Sequence, residues 1–153
     1  MQQGIVWMET PLGLLCLEQA GEGLCRAEFC AEAEGPPRPT PLLGEAQRQL
    51  EEYFARRRRV FELPLAGQGT AFRRQVWQAL EQIPYGQVCS YGQLAARLGR
   101  PGAARAVGGA CHCNPLAILV PCHRVVGADG GLTGYAGGLE RKRWLLELEG
   151  VRL

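Results

Sequence analysis

Residues 120 to 126 read Val-Pro-Cys-His-Arg-Val-Val. A thiol is a strong nucleophile only as its thiolate, and a thiolate needs a nearby base or cation. Cys122 has an imidazole, His123, and a guanidinium, Arg124, beside it in the chain. It is the candidate reactive centre, and the chemistry is attack of sulfur on an electrophilic carbon. On an extended segment adjacent side chains point to opposite sides, so a direct bond from His123 to the Cys122 sulfur is awkward and a bridging water is expected. A histidine base also needs its other ring nitrogen oriented, usually by an acidic group. Glu147 and Glu149 are the nearest candidates, and the residues alone do not choose between them.

The remaining cysteines carry less. Cys16, Cys25, Cys30 and Cys89 lie in strand-like apolar stretches, where a free cysteine behaves as a small hydrophobe. Cys111-His112-Cys113 with Cys122-His123 places five potential metal ligands within thirteen positions. Structural zinc favours gaps of roughly two to four residues, whereas the pairs here are Cys-X-Cys and Cys-His, so no metal is expected. Seven cysteines are an odd number with no disulfide framework, which implies a reducing, cytosolic compartment. The N-terminal Met1-Gln2-Gln3-Gly4 lacks the basic region and apolar stretch of a leader, and no run reaches the roughly 20 apolar residues of a membrane span. A soluble, cytoplasmic chain with no membrane partner is expected.

These residues need a scaffold, and 153 residues with 46% hydrophobic content can bury a real core as one domain or two small ones. The net charge of +2 permits a nucleic-acid partner without announcing one. Over residues 4–29 short apolar stretches alternate with turn signals at Thr10-Pro11-Leu12-Gly13 and Ala20-Gly21-Glu22-Gly23, which predicts an antiparallel meander. Pro36, Pro37, Pro39 and Pro41 mark a loop, residues 42–57 have helical spacing, and 60–63 are expected to return as a strand. After a linker at 64–69, Thr70 can cap a helix whose Phe72, Val76, Trp77, Leu80 and Ile83 share one face. Ser90 can cap a second helix over 91–98, and a glycine turn leads into a third over 102–111; two such helices read as helix-turn-helix. A glycine-rich stretch, 127–138, precedes a last helix over 139–149.

A helix that reads bases in the major groove needs Arg, Asn or Gln pointing outward. The third helix instead runs Gly102-Ala103-Ala104-Arg105-Ala106-Val107-Gly108-Gly109-Ala110, nearly bald around one long basic residue. A smooth helix can approach the minor groove closely, and a long side chain such as Arg105 can enter the base stack. Small residues equally allow tight helix packing, and both readings fit these residues. The run Arg56-Arg57-Arg58-Arg59 suits a solvated helix end, whereas Arg73, Arg74, Arg97 and Arg100 are better placed for phosphates.

From Gly69-Thr70-Ala71-Phe72 onward, the chain resembles the O6-alkylguanine-DNA alkyltransferases, also called methylated-DNA-protein-cysteine methyltransferases. The match runs through Ile83-Pro84-Tyr85-Gly86, Ser90-Tyr91-Gly92, Arg105-Ala106-Val107-Gly108, Asn114-Pro115, Pro121-Cys122-His123-Arg124-Val125, Gly134-Tyr135-Ala136-Gly137-Gly138 and Lys142 to Glu149. The first half is similar only in its Thr-Pro-Leu-Gly turn, length and element order. The resemblance implies an α+β fold: a small N-terminal antiparallel sheet with a helix, ribonuclease H-like, over 1–66, then a mainly helical, winged-helix-like domain with a helix-turn-helix over 67–153. It implies a monomer that binds duplex DNA in the minor groove and flips out a guanine alkylated at O6. The alkyl group then moves onto Cys122 without turnover; O4-alkylthymine is a second expected substrate. His123 matches the base acting through water, Glu149 the carboxylate behind it, and Asn114 a residue tying the cysteine turn to the neighbouring helix. Arg105 matches the finger that fills the gap left by the base, with Ser90, Arg97, Arg100, Ala104 and Gly108 along the DNA face. Tyr91 matches a residue that helps rotate the phosphate and contacts guanine, and its hydroxyl suits the task of raising the leaving ability of the purine. Val125, Tyr135 and Ala136 match the guanine pocket.

This chain departs from the family pattern at Cys111-His112-Cys113, which replaces a segment usually rich in Asn or Gly and adds two thiols before Asn114. Some relatives bind zinc in the first domain; here Cys25 is available with Glu62 and Met1 near other ligand positions, an incomplete set, so no zinc and no cofactor are expected. Thr133 and Ala136 stand where relatives shape the pocket, leaving the largest acceptable alkyl group open. Three rival functions remain. A lesion-binding relative would lack the acceptor cysteine, a Cys122-His123 hydrolase gives the bald helix no purpose, and a transcription module would need base-reading side chains.

Overall fold

The computed structural model describes residues 3–153; Met1 and Gln2, touched by the leader and zinc readings, lie outside them. Contacts divide the chain into two compact units, one reaching Gln68 and including Pro115–Leu119, the other formed by Gly69–Asn114 and Val120–Leu153. A single cut between 66 and 67 therefore does not describe Pro115–Leu119, which packs with the first unit although it comes late in sequence.

In the first unit, β1 (Gln3–Thr10), β2 (Gly13–Ala20) and β3 (Gly23–Cys30) form the expected antiparallel meander, order β1-β2-β3. The register sets Val6 opposite Leu17 and Met8 opposite Leu15, so one face collects apolar side chains, as period-2 alternation requires. On that face β1 and β2 pack against α1 (Pro41–Phe54), whose Leu43, Ala46, Leu50 and Tyr53 are buried. Thr40 caps α1 by accepting from the Leu43 amide, and Pro41 occupies the first turn, where its missing N–H costs nothing. A Cβ at Gly4 would sit 2.7 Å from the Arg38 carbonyl oxygen, so the approach of the proline loop to β1 requires glycine there.

Residues 60–63 do not form the expected strand. Buried Gln49 takes both backbone groups of Glu62: its Oε1 accepts from the Glu62 amide at 2.9 Å and its Nε2 donates to the Glu62 carbonyl at 3.2 Å. Sheet pairing resumes later, where Leu24 N donates to Pro64 O (2.9 Å) and Ala66 N to Leu24 O (2.7 Å). Farther along β3, Ala27 pairs with Pro115 and Ala117 at 2.8 and 2.9 Å, so two short parallel bridges cover the strand edge.

Among the described residues, the second unit runs α2 (Ala71–Leu80), β4 (Cys89–Ser90), α3 (Tyr91–Arg97), α4 (Ala104–His112), a single 3-10 turn (Cys122–Arg124), β5 (Val125–Val126) and α5 (Leu139–Leu148). Thr70 caps α2 as expected. Val76, Trp77, Leu80 and Ile83 are buried, and Trp77 Nε1 donates to Ala110 O at 2.9 Å, fixing α2 on α4. Ser90 and Gln93 form a reciprocal capping box at the start of α3. α4 begins two residues later than its composition predicts, because Ala103 keeps a non-helical backbone and its amide closes a turn on Arg100. β4 and β5 pair in parallel, Cys89 with Val125 and Ser90 with Val126.

Gln49→Leu removes both bonds to Glu62 without emptying the site. Two backbone groups lose their partner, so a loss of about 1–3 kcal/mol is expected, read as a lower urea midpoint. An unchanged midpoint would mean that 60–66 is held by something else.

Candidate active site

The segment around Cys122 is a 3-10 turn, not the extended segment expected from sequence. Pro121 has φ −81° and ψ 62°, an inverse γ-turn closed by Cys122 N donating to Val120 O at 2.8 Å. That kink turns the three following side chains inward, and Cys122, His123 and Arg124 are all buried. Asn114 fixes the turn: its Nδ2 donates to Val120 O at 2.9 Å and to Cys122 Sγ at 3.2 Å.

Behind the thiol lies a charge cluster. His123, with no accessible surface, places Nε2 2.8 Å from Glu149 Oε2. Arg124 grips the same carboxylate bidentately, Nε to Oε1 at 2.8 Å and Nη2 to Oε2 at 3.0 Å, and Nη1 donates to Ile83 O at 2.7 Å. Gly86 N donates to Glu149 Oε1 at 3.3 Å. Burial alone would push the Glu149 carboxyl up, but the hydrogen bonds of His123 and Arg124 and the charge of Arg124 outweigh it and hold the group ionised well below the usual carboxylate range. Burial lowers the His123 pKa against the pull of Glu149, so the ring rests neutral. A neutral ring facing an ionised carboxylate through Nε2 carries its proton there, which leaves Nδ1 as acceptor. Among the described residues Nδ1 has no hydrogen-bond partner.

Arg124 is therefore not the thiol's cation. That position falls to Lys142, fully buried on α5, whose Nζ donates to Thr133 O at 2.6 Å and Gly134 O at 3.2 Å. Burial raises the Cys122 pKa, while the Asn114 donor and the Lys142 charge lower it. Lys142 is itself lowered by burial, offset by attraction to Cys122 and Cys111.

The thiol opens on a cavity of about 80 Å³ lined by Tyr91, Gly108, Cys111, His112, Cys122, Gly134, Tyr135 and Ala136. Tyr91 follows the α3 cap and donates its hydroxyl to Thr133 O at 3.3 Å; a Cβ on Gly108 would reach to 3.8 Å from its ring. Tyr135 Oη is buried with no partner among the described residues, and burial holds its pKa well above the ordinary value. Val125 is buried in β5, outside this lining. On the outer side of the helix-turn-helix, Arg105 and Arg97 are exposed, Ala104 is half-buried, and Arg100 is exposed with its guanidinium 5.2 Å from the centre of the Phe72 ring. Ser90 Oγ accepts from Gln93 N at 3.0 Å, leaving its hydroxyl proton to donate.

Two family models match the chain. The ribonuclease-like domain of 6-O-methylguanine DNA methyltransferase matches residues 6–66, and its DNA binding domain matches residues 71–151. The chain belongs to the 6-O-methylguanine DNA methyltransferase family. It is 47% identical over 148 residues to the methylated-DNA--protein-cysteine methyltransferase of Methanosarcina acetivorans, covering 93% of this chain and 95% of that one. Its likeness to the Salmonella typhimurium protein of the same name is 61% over 106 residues, 69% of this chain and 62% of that protein's length. The crystal structure of Mycobacterium tuberculosis OGT in complex with DNA matches with TM-score 0.86 and 47% identity, over 94% of this chain and 90% of that one.

For this member of the methyltransferase family, the structure pairs Asn114 with Cys122 and, one residue along the turn, His123 with Glu149, with Tyr91, Tyr135 and Ala136 around the thiol's cavity. The sequence assigns no role to Lys142 and marks Cys111 and His112 only as part of a replaced segment before Asn114, although Cys111 and His112 line the cavity. Helical spacing was the available signal: Arg105, Gly108, Cys111 and His112 recur three to four residues apart on α4. Among the described residues, no cluster of three or more His, Cys, Asp or Glu could hold a metal ion, and no helix is long and apolar enough to cross a membrane.

Both acid-sensitive groups act in the same direction. His123 titrates below 6.5 and Glu149 below 4.5 in the folded chain, so the unfolded chain binds more protons in acid and stability falls as pH drops through each ordinary value. Glu149→Gln strands Arg124 and is expected to cost about 3–5 kcal/mol at pH 7. The gap between variant and parent should narrow below pH 4.5 in thermal unfolding; a gap constant down to pH 3 would refute the clamp.

Proposed function

We propose that this protein repairs DNA directly, moving the alkyl group of an O6-alkylguanine onto Cys122 Sγ once per chain. The observation that carries the reading is a thiol on the wall of a cavity, held by Asn114 and backed by a neutral histidine with a free Nδ1 and an ionised Glu149. Family membership and the DNA-bound relative support DNA as the partner.

In this reading a water relays the Cys122 proton to His123 Nδ1, and Glu149, kept charged by Arg124, stabilises the imidazolium. The thiolate forms near Lys142 and attacks the alkyl carbon. The Sγ–C bond forms as the C–O6 bond breaks, and the electron pair stays on the purine, which takes a hydrogen bond or proton from Tyr91 Oη as that hydroxyl turns from the Thr133 carbonyl. The product is a thioether with no easy hydrolysis, so the chain acts once.

The alkyl carbon is inaccessible inside a stacked duplex, so the base must flip, at a cost of a few kcal/mol that is lower for a damaged pair. α4 lies along the minor groove, with Arg105 filling the vacated space and Arg97, Arg100 and Ser90 on phosphates, Ala104 and Gly108 permitting the close approach. Tyr135 and Ala136 frame the guanine, with Val125 buried behind them in β5. The protein acts as a cytoplasmic monomer, and O4-alkylthymine is a second substrate.

Incubation with an oligonucleotide duplex containing O6-methylguanine is expected to add one methyl mass per chain, mapped to Cys122 and saturating there. Tight binding with no added mass would refute the transferase reading. Cys122→Ala should abolish transfer while keeping DNA binding, and His123→Ala should slow transfer about 10²–10⁴-fold. Arg105→Ala should impair repair in duplex far more than transfer from the free base; equal losses on both would refute its role as the finger.

A further inference from the structure

Cys122 does not face its cavity as the sole thiol. Cys111, on the last turn of α4, lines the same wall, and both are 7% exposed. The two sulfurs also sense each other electrically, since a charge on Cys122 is one of the causes raising the Cys111 pKa. Cys113, two residues on, is exposed and does not line the cavity. Nothing in the alkyl-transfer chemistry uses Cys111.

We propose that Cys111 is a resolving thiol for Cys122, so that a peroxide converts the pair into a reversible disulfide and spares the acceptor from irreversible oxidation. In the first step the Cys122 thiolate attacks a peroxide oxygen, forming the sulfenic acid and releasing hydroxide, which takes the displaced proton to become water. In the second, Cys111 attacks the sulfenic sulfur, the S–S bond forms, and hydroxide leaves with the Cys111 proton as a second water. Two thiols and one hydrogen peroxide give one disulfide and two waters.

The order of steps follows from the surroundings. Asn114 donates to the Cys122 sulfur and His123 stands behind it, whereas burial pushes the Cys111 thiol up to about 12 and keeps it protonated. Closing the bond needs the two Cβ atoms at about 4 Å, which falls to the C-terminal turn of α4. Gly108 and Gly109 precede that turn, and two adjacent glycines weaken a helix, giving it room to adjust. The cross-link requires a reactive Cys122 but not the alkyl-transfer reading, since it is read without DNA.

The test exposes the parent chain, Cys113→Ser and Cys111→Ser to hydrogen peroxide, blocks remaining thiols after unfolding, and reads intact mass and fragments. Parent and Cys113→Ser are expected to lose the mass of two hydrogens, with the bond between positions 111 and 122, and to recover the Cys122 thiol on reduction. Cys111→Ser should instead gain oxygen at Cys122, with recoverable thiol reduced at least about tenfold; Cys111→Ala repeats the measurement if the serine variant does not fold. A disulfide involving Cys113, or oxygen accumulating on Cys122 of the parent as fast as on the variant, would overturn the proposal.

Discussion

One buried carboxylate organises the second unit. Glu149, just past the end of α5, receives His123, both faces of the Arg124 fork and the Gly86 amide. An unpaired carboxylate at that depth would be very costly, so each partner is required by the others. Through Arg124 the cluster extends to the Ile83 carbonyl after α2, and through His123 to the thiol turn. The same contacts that fix the chain's last helix against the turn also fix which nitrogen of His123 is protonated. Structure and reactivity are thus set by one cluster, and a change there is expected to move both.

The thiol's situation is a balance between opposed effects. Burial disfavours the thiolate, while the Asn114 donor and the Lys142 charge favour it. In the proposed transfer, a thiol that is mostly protonated at rest and ionises through a neighbouring base stays unreactive until its substrate arrives. Lys142 has a second task, since its ammonium holds the carbonyls of Thr133 and Gly134 and thereby shapes the glycine-rich part of the cavity lining. Charge and wall geometry therefore rest on the same nitrogen.

Much of this was legible in the residues. The meander follows from alternation and turn signals, Thr70 and Ser90 from capping chemistry, and Cys122 with His123 from adjacency of a thiol and an imidazole. The cation was misplaced because adjacency in sequence is a poor guide inside a 3-10 turn, where Arg124 turns away to Glu149 and a lysine eighteen positions later takes its place. Residues 60–63 carry strand-like composition, but a side chain thirteen residues earlier claims the Glu62 backbone, which no local pattern records. The membership of Pro115–Leu119 in the first unit is likewise a long-range pairing, made to Ala27. Cys111 and His112 stand out in the sequence only as a replaced segment, because their three-to-four-residue spacing from Arg105 and Gly108 places them on one cavity wall only on an α4 that runs to His112.

Tyr135 lines the cavity, and its Oη is buried without a hydrogen-bond partner among the described residues. A hydroxyl already stripped of water has lost its hydration before anything binds, so an occupant that offers it a hydrogen bond recovers about 1–3 kcal/mol, whereas an apolar occupant of equal size recovers none. That difference is roughly five- to 150-fold in affinity. An occupant that reaches this oxygen is thereby selected for polarity at a single atom, through a bond withheld in advance.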